Sequence, residues 1–242
     1  MRRRRIGFAM MALGWLMVML VLIMGCIRTV GSDAELYYSL QMEADVLPEA
    51  GISEQDLYLL DLNLSSYLFA PANADTGVNR QLDVFGERQW AFNERELIHL
   101  KDCQKLLAPT VSPLLNGLLA ASGAALVLFG KRMYGSGKMP GALWAASALI
   151  FVPLGIFGIW AAADFDSAFT FFHELLFTND LWLLNWNTDL LIRICPESMF
   201  ANMGLRIGAG CALVLLGLPA LCSILLRIFD NKRGNAYEKP DL

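Results

Sequence analysis

The chain contains only two histidines, His99 and His173, and they are its best candidates for proton-transfer chemistry. An imidazole has an unperturbed pKa of about 6.5, which suits it to take up and release protons near neutral pH. Both histidines fall in polar segments that lie between strongly apolar stretches of the sequence. The pattern therefore indicates a histidine site outside a membrane anchor.

Acidic residues flank His99 at helical spacing. Glu96, His99 and Asp102 are separated by three residues each, so on a helix they form one polar edge. A carboxylate beside an imidazole raises its basicity and fixes its tautomer. Taken alone, the spacing favours an ordinary solvated helix face, so a catalytic role for His99 needs further support.

The surroundings of His173 resemble a zinc-protease motif but lack its second metal ligand. The HExxH motif needs a second histidine four residues on, and this chain has Phe177 there. With two histidines in total, a catalytic zinc would need carboxylates to complete its ligands, so we expect neither metal nor cofactor. The chain also lacks the GxSxG and P-loop patterns. A histidine without a protein nucleophile suggests proton transfer between groups of the substrate.

The composition predicts a mainly α-helical membrane protein that positions these histidines. With 56% hydrophobic residues, 17% charged residues and a mean hydropathy of +0.46, the chain is too apolar for a soluble domain and too charged to lie wholly in a membrane. About 20 apolar residues are needed to span a bilayer. Four stretches meet this requirement and are predicted as transmembrane helices: 6–27, 111–130, 140–162 and 203–229.

Charge placement predicts the orientation of these helices. Basic residues cluster in the segments 1–5, 131–139 and 230–242, which we expect to be cytoplasmic, together with both termini. The segment 28–110 carries 6 basic and 14 acidic residues, and 163–202 carries 1 basic and 6 acidic residues. We expect these two segments to be extracellular and to pack at the membrane surface. No basic stripe indicates nucleic-acid binding.

Local patterns predict short elements in the two polar segments. They are helices over Asp56–Leu68, Asn93–Leu107, Ser167–Leu176 and Asp189–Ile194, a β-hairpin over Gln81–Phe92, and a turn over Asp75–Gly77. Asn93 and Glu96 form the pattern of a helix capping box. Cys103 and Cys195 could pair as a disulfide, although two free thiols are the favoured interpretation.

Two stretches of the chain resemble one family, the lipoprotein intramolecular transacylases (Lit), which are integral membrane proteins of Gram-positive bacteria. The first stretch is Phe92–Gln104, with a Glu-x-x-His-Leu-x-Asp segment, and the second runs from Phe172 to Phe200. The spacing between them and the four-span layout agree with that family. The chain departs from it at Cys103-Gln104, where the family usually has Val-Lys, and at Asn185–Asn187, which replaces an Asp-Pro turn.

The resemblance implies an acyltransferase whose substrate is a diacylated bacterial lipoprotein. Such enzymes move an acyl chain from the sn-2 oxygen of the diacylglyceryl group onto the α-amino group of the N-terminal cysteine, giving a lyso-form lipoprotein. The resemblance also implies that His173 is the main acid/base residue and His99 its essential companion. Residues around this pair that could support it or bind substrate are Glu96, Asp102, Asn179, Trp182 and Asp189.

Two other functions fit the same composition. The chain could be a non-catalytic membrane assembly factor or sensor whose acidic extracellular segments bind a partner, in which case the histidines need not meet. It could also be a metal-dependent membrane hydrolase. A transporter is disfavoured because the interior of the predicted spans carries no acid or base to relay ions. Membrane lipid is an expected partner, and the sequence leaves the oligomeric state open.

Overall fold

A computed structural model describes residues 2–71, 77–134 and 139–237. The predicted turn at Asp75–Thr76, and parts of the predicted cytoplasmic loop and tail, lie outside these residues. Four helical segments are long and apolar enough to cross a membrane. They are α1 (Arg2–Gly31), α6 (Pro113–Tyr134), α7 (Met139–Ala163) and a segment over Glu197–Phe229. The last segment comprises α10 (Glu197–Ala212), a π-helical turn (Leu213–Gly217) and the start of α11 (Leu218–Tyr237).

The remaining elements are short and carry the polar residues. They are α2 (Ala34–Glu43), α3 (Leu47–Ala50), α4 (Glu54–Leu68), β1 (Gln81–Val84), β2 (Glu87–Trp90), α5 (Glu94–Val111), α8 (Phe165–Leu176) and α9 (Leu190–Ile194). The two strands form an antiparallel hairpin with Val84 opposite Glu87 and Gln81 opposite Trp90. The mainly helical class and the single small hairpin of the described residues confirm the predicted fold class.

The chain forms two compact units, and the first comprises residues 1–23, 114–155 and 209–242. Within it, α1 and α6 approach at backbone distance because glycines face each other. A Cβ atom placed on Gly14 would lie 2.4 Å from the carbonyl oxygen of Gly123. Trp15 adds a hydrogen bond to the Ser147 hydroxyl on α7 at 3.1 Å. Close approach of small residues and interhelical hydrogen bonds are the usual means of packing helices in lipid.

The second unit comprises residues 24–113 and 156–208 and contains a conventional apolar core. The face of α4 predicted from its leucines is buried, with Leu57, Leu60 and Leu64 at most 2% exposed. These leucines pack with residues of α2, the hairpin, α5 and α9. Burial of a leucine contributes about 1.5–3 kcal/mol, so this core can hold the short elements together. Both histidines belong to this unit.

Candidate active site

Helix α5 begins with the predicted capping box and carries His99 in its second turn. The Asn93 side chain accepts a hydrogen bond from the Glu96 backbone N–H at 3.1 Å, and the Glu96 carboxylate accepts one from the Asn93 N–H at 2.7 Å. This reciprocal pair satisfies two backbone donors that would otherwise be unpaired at the helix start. His99 itself is 8% exposed.

Helix α8 carries His173 in its last turn. The Asp164 side chain caps its start by accepting a hydrogen bond from the Ser167 N–H at 3.1 Å. Along the helix, Ala168 and His173 are buried, whereas Phe171 and Phe172 remain 45% and 42% exposed. One face of α8 therefore buries the His173 imidazole within the second unit, while another face is apolar and exposed.

The structure brings the two imidazoles together. Their ring centroids are 6.1 Å apart, although the residues are 74 positions apart in sequence. The Phe177 ring contacts both, at 5.2 Å from His99 and 5.7 Å from His173. The fold therefore does not keep the two histidines apart, as the interpretation of a non-catalytic protein supposed.

One hydrogen bond fixes the tautomer of His173. Its Nδ1 lies 2.7 Å from the carbonyl oxygen of Phe169, and because a carbonyl can only accept, Nδ1 must carry the proton. In the neutral ring, Nε2 then holds a lone pair and can act as a base. Burial lowers the pKa of His173, while the bond to Phe169 partly opposes this effect. Trp182 stacks on the ring at 4.9 Å, where its π face can stabilise an imidazolium.

His99 is held neutral. Burial and, secondly, the nearby His173 lower the pKa of His99 to about 4, and the attraction of Asp102 opposes them. Two imidazoles this close do not readily carry charge together. The thiol of Cys103 lies 3.6 Å from His99 Nε2, which is within range of a weak sulfur hydrogen bond. At neutral pH, His99 therefore offers an N–H group and no positive charge.

Glu96 and Asp189 join the two chain segments of the site through hydrogen bonds. The Glu96 carboxylate accepts a hydrogen bond from the Leu191 N–H at 2.7 Å, in addition to its capping bond. Asp189 accepts from the Asn93 side chain at 2.8 Å and from the Asn185 N–H at 2.8 Å. Both Glu96 oxygens thus accept backbone N–H groups, and a role of Glu96 in orienting His99 stays a prediction.

Asp102 and Asn179 form a second tie between α5 and the loop that follows α8. The Asn179 amide donates to Asp102 at 3.0 Å, and Lys105 donates to the other carboxylate oxygen at 2.9 Å. Arg95 also donates to the backbone carbonyl of Asp180. The hydrogen bond from Lys105 and, to a smaller extent, that from Asn179 lower the pKa of Asp102 and leave it ionised, so it acts on His99 through its charge.

Sequence reasoning missed three contributors to the site. The Phe169 carbonyl could not be identified as the hydrogen-bond acceptor for His173 without the fold. Its position four residues before His173, one helical turn away, is the signal that could have suggested it. Phe177 was noted only as a missing metal ligand. Cys103 was noted only as a departure from the family and a free thiol.

Metal-ligand clusters and disulfides are not found in the described part of the chain. No group of three or more histidine, cysteine, aspartate or glutamate residues there could hold a metal ion. None of Cys26, Cys103, Cys195, Cys211 and Cys222 forms a disulfide bond there. Burial raises the pKa of Cys103 to about 12 and also raises that of Cys195.

Four candidate spans and a buried histidine pair define a multi-pass membrane protein equipped for acid/base chemistry. The sequence model of the family "lipoprotein intramolecular transacylase Lit" matches residues 12–200. This match covers most of the chain, and the protein therefore belongs to the lipoprotein intramolecular transacylase family. It is an acyltransferase that acts on lipoproteins and an integral membrane protein.

Solved structures share this fold. The membrane-integral lipoprotein intramolecular transacylase Lit from Bacillus cereus has a TM-score of 0.69 at 19% identity, covering 95% of this chain and 98% of that one. A variant of that enzyme with a histidine-to-arginine substitution has a TM-score of 0.65 at 18% identity, covering 96% and 95%. No curated protein sequence matches the chain significantly.

Proposed function

We propose that the protein transfers an acyl chain within one lipoprotein molecule, from the sn-2 oxygen of its diacylglyceryl group to the α-amino group of its N-terminal cysteine. His173 acts as the acid/base residue and His99 as its companion. The observation that carries this assignment is the 6.1 Å separation of the two rings, with His173 held in the tautomer that leaves Nε2 free. Because both reacting groups belong to one substrate, the site needs mainly to hold them in a reactive geometry.

The proposed reaction begins with deprotonation of the substrate amine. An α-amino group has a pKa of about 7.7–8.0, so near neutral pH it can release its first proton to water and present a neutral amine. The amine nitrogen attacks the ester carbonyl carbon while the neutral Nε2 of His173 takes one of its two remaining protons, and the resulting oxyanion accepts a hydrogen bond from the N–H of neutral His99. The bond between the former ester carbonyl carbon and the sn-2 oxygen then breaks as His173 gives its proton to that oxygen. The products are an amide and a free hydroxyl group.

The surroundings of the pair support this sequence of steps. Aromatic rings at 4.0–5.7 Å exclude water from His173: Phe169, Phe172, Phe177 and Trp182. Exclusion of water strengthens the hydrogen bonds made in the transition state and suppresses hydrolysis of the ester. Glu96, Asp102, Asn179 and Asp189 hold the elements that carry the imidazoles.

The proposal includes an orientation in the membrane. Both termini face the cytoplasm, and the segments 28–110 and 163–202 lie outside the cell. The reason is that basic residues cluster at the other ends of the spans, and basic segments remain in the cytoplasm. Residues of α8 support contact with lipid, since Phe171, Phe172 and Leu175 are 45%, 42% and 69% exposed. A cysteine introduced at exposed Asp83 should react with a membrane-impermeant maleimide in intact cells; labelling only after lysis would reverse the orientation.

Mass spectrometry of a lipoprotein's N-terminal peptide tests the reaction. Wild-type protein should move one acyl chain from the glycerol to the α-amine at constant total mass, and His173→Ala should not. The exposed neighbour Glu174 provides a matched control, so Glu174→Gln should behave as wild type. Loss of one acyl mass would indicate a lipase, and transfer by well-folded His173→Ala would contradict the assignment of the base.

A further inference from the structure

Asp61 on α4 is a buried carboxyl group without a donor. It is 0% exposed, and neither carboxyl oxygen has a hydrogen-bond partner among the described residues. Gln41 on α2 is its polar neighbour, is also 0% exposed, and lies close enough for its side chain to lower the pKa of Asp61. The Gln41 amide nitrogen donates to the Ile194 carbonyl at 2.8 Å, and its own oxygen lacks a donor as well. Three buried acceptor oxygens therefore lie in one place.

The other groups near Asp61 cannot neutralise a carboxylate. Tyr37 on α2 and Cys195 after α9 interact with it, and Cys103 on α5 lies close to both. Burial raises the pKa of all three, which keeps them neutral, and that of Cys103 rises to about 12. Two acids act on these neutral groups and bring only negative charge: Asp33 acts on Tyr37, and Glu96 acts on Cys195.

We infer that Asp61 is a positioning residue for the acyl transfer: its un-ionised carboxyl donates to Gln41 Oε1, and Gln41 in turn holds the Ile194 carbonyl. A buried acceptor without a donor destabilises the fold, and a proton on Asp61 converts one acceptor into a donor. That single proton pairs Asp61 with Gln41 and leaves the bond to Ile194 intact. The positioning role rests on the proposed function of the histidine pair.

The relay reaches the site through the segment 177–194, which follows α8 and includes α9. Ile194 ends α9, while Leu191, three residues earlier, donates to Glu96 at the start of α5. The same segment contains Trp182, which stacks on His173. Gln41 thus fixes one end of a segment whose other contacts hold both imidazole-bearing helices.

Ionisation would break the relay. Burial raises the pKa of Asp61 from 3.8 to about 7 and outweighs the side-chain interaction with Gln41, which lowers it. Above that pH a carboxylate would repel Gln41 Oε1, and the amide would have to turn towards Asp61 and release Ile194. Because the folded state holds this proton more tightly than the unfolded chain, the stabilisation is complete below the unfolded pKa of 3.8 and is lost as pH rises to about 7. The folding constant should fall about tenfold per pH unit over this range.

Asp61→Asn is the matched test, because the asparagine amide has the same shape, stays neutral and can donate to Gln41. The full-length protein in detergent is unfolded at a series of pH values, and the pH dependence of each variant is subtracted from that of wild type. The difference should grow to about a thousandfold in the folding constant between about pH 4 and about pH 7. Asp83→Asn, at an exposed site, should show no such difference.

Activity supplies the readout that a purely structural role would not change. From about pH 7 to about pH 9, the un-ionised fraction of Asp61 falls about fiftyfold. For each protein, the transfer rate at about pH 9 is divided by the rate at about pH 7. This ratio should be at least about tenfold lower in wild type than in Asp61→Asn. Asp61→Leu is neutral but cannot donate, so it should transfer more slowly than Asp61→Asn at both pH values.

Three results would overturn the inference: an unchanged pH dependence of stability in Asp61→Asn, equal rates for the Leu and Asn variants, or loss of transfer by folded Asp61→Asn at every pH. The stability measurement needs no turnover. It therefore decides the protonation of Asp61 even if wild type lacks acyl transfer, a result that would overturn the proposed function instead.

Discussion

Replacing Glu96 with glutamine should loosen the connection between α5 and α9. The two Glu96 oxygens accept the backbone N–H groups of Asn93 and Leu191, each at 2.7 Å. Glutamine has one acceptor oxygen, so one N–H must face an NH₂ group. A hydrogen bond to a charged group contributes about 1.5–3 kcal/mol. The neutral glutamine also escapes the burial penalty on the charge and, to a smaller extent, the repulsion from Asp189, and both effects offset part of the loss. We therefore expect a net loss of about 1 kcal/mol.

Hydrogen exchange of the Leu191 and Asn93 amides measures this loss locally. A loss of about 1 kcal/mol corresponds to about fivefold faster exchange of the released amide. Acyl transfer should slow as well, because the same bond fixes α5 against the segment that carries Trp182. Glu94→Gln is the control, since Glu94 lies in the same helical turn and is exposed. Unchanged protection of both amides in folded Glu96→Gln would refute the reasoning.

Three further predictions concern packing and protonation. Gly14→Leu should destabilise the protein by about 1–3 kcal/mol or more, because its Cβ would lie 2.4 Å from the Gly123 carbonyl oxygen. Gly25→Leu is the control, since a Cβ there meets open space, and thermal unfolding of the two variants measures the difference. Burial and His173 lower the pKa of His99 from 6.5 to about 4, so the unfolded chain takes up this proton first. The free energy of unfolding of wild type relative to that of His99→Gln should then fall by about 3 kcal/mol as the pH drops from 6.5 to about 4. A difference that does not change with pH would contradict this prediction. Cys103 should react with iodoacetamide about a thousandfold more slowly than an ordinary thiol near neutral pH, because burial raises its pKa from 9.0 to about 12; rapid alkylation on intact-protein mass spectra would contradict this.

Features with short sequence separation were predictable. The leucine face of α4 follows from helical periodicity, and Leu57, Leu60 and Leu64 are indeed buried. The capping box of α5 is a local pattern of two residues, and both of its hydrogen bonds form. Helices α2 and α3 were not predicted, since their apolar residues face the core without a clear period.

The partner of Glu96 was not predictable. On an isolated helix its carboxylate would lie near His99, but the capping bond turns it towards Asn93 and the fold supplies Leu191, 95 residues away. Asp189 likewise reaches Asn93 across 96 residues. Such contacts depend on packing of the whole unit, because helical spacing specifies neighbours only within about one turn.

By itself, the sequence determined four apolar spans, a mainly helical fold with one hairpin, and two histidines as the available acid/base groups. These follow from composition and from periodicity over short stretches, where hydrophobic burial and local hydrogen bonding decide the outcome. The tertiary structure alone decided that the imidazoles meet, that His173 donates to Phe169, and that His99 stays neutral. Each of these depends on desolvation and on contacts between distant residues, which arise only when the core closes around them.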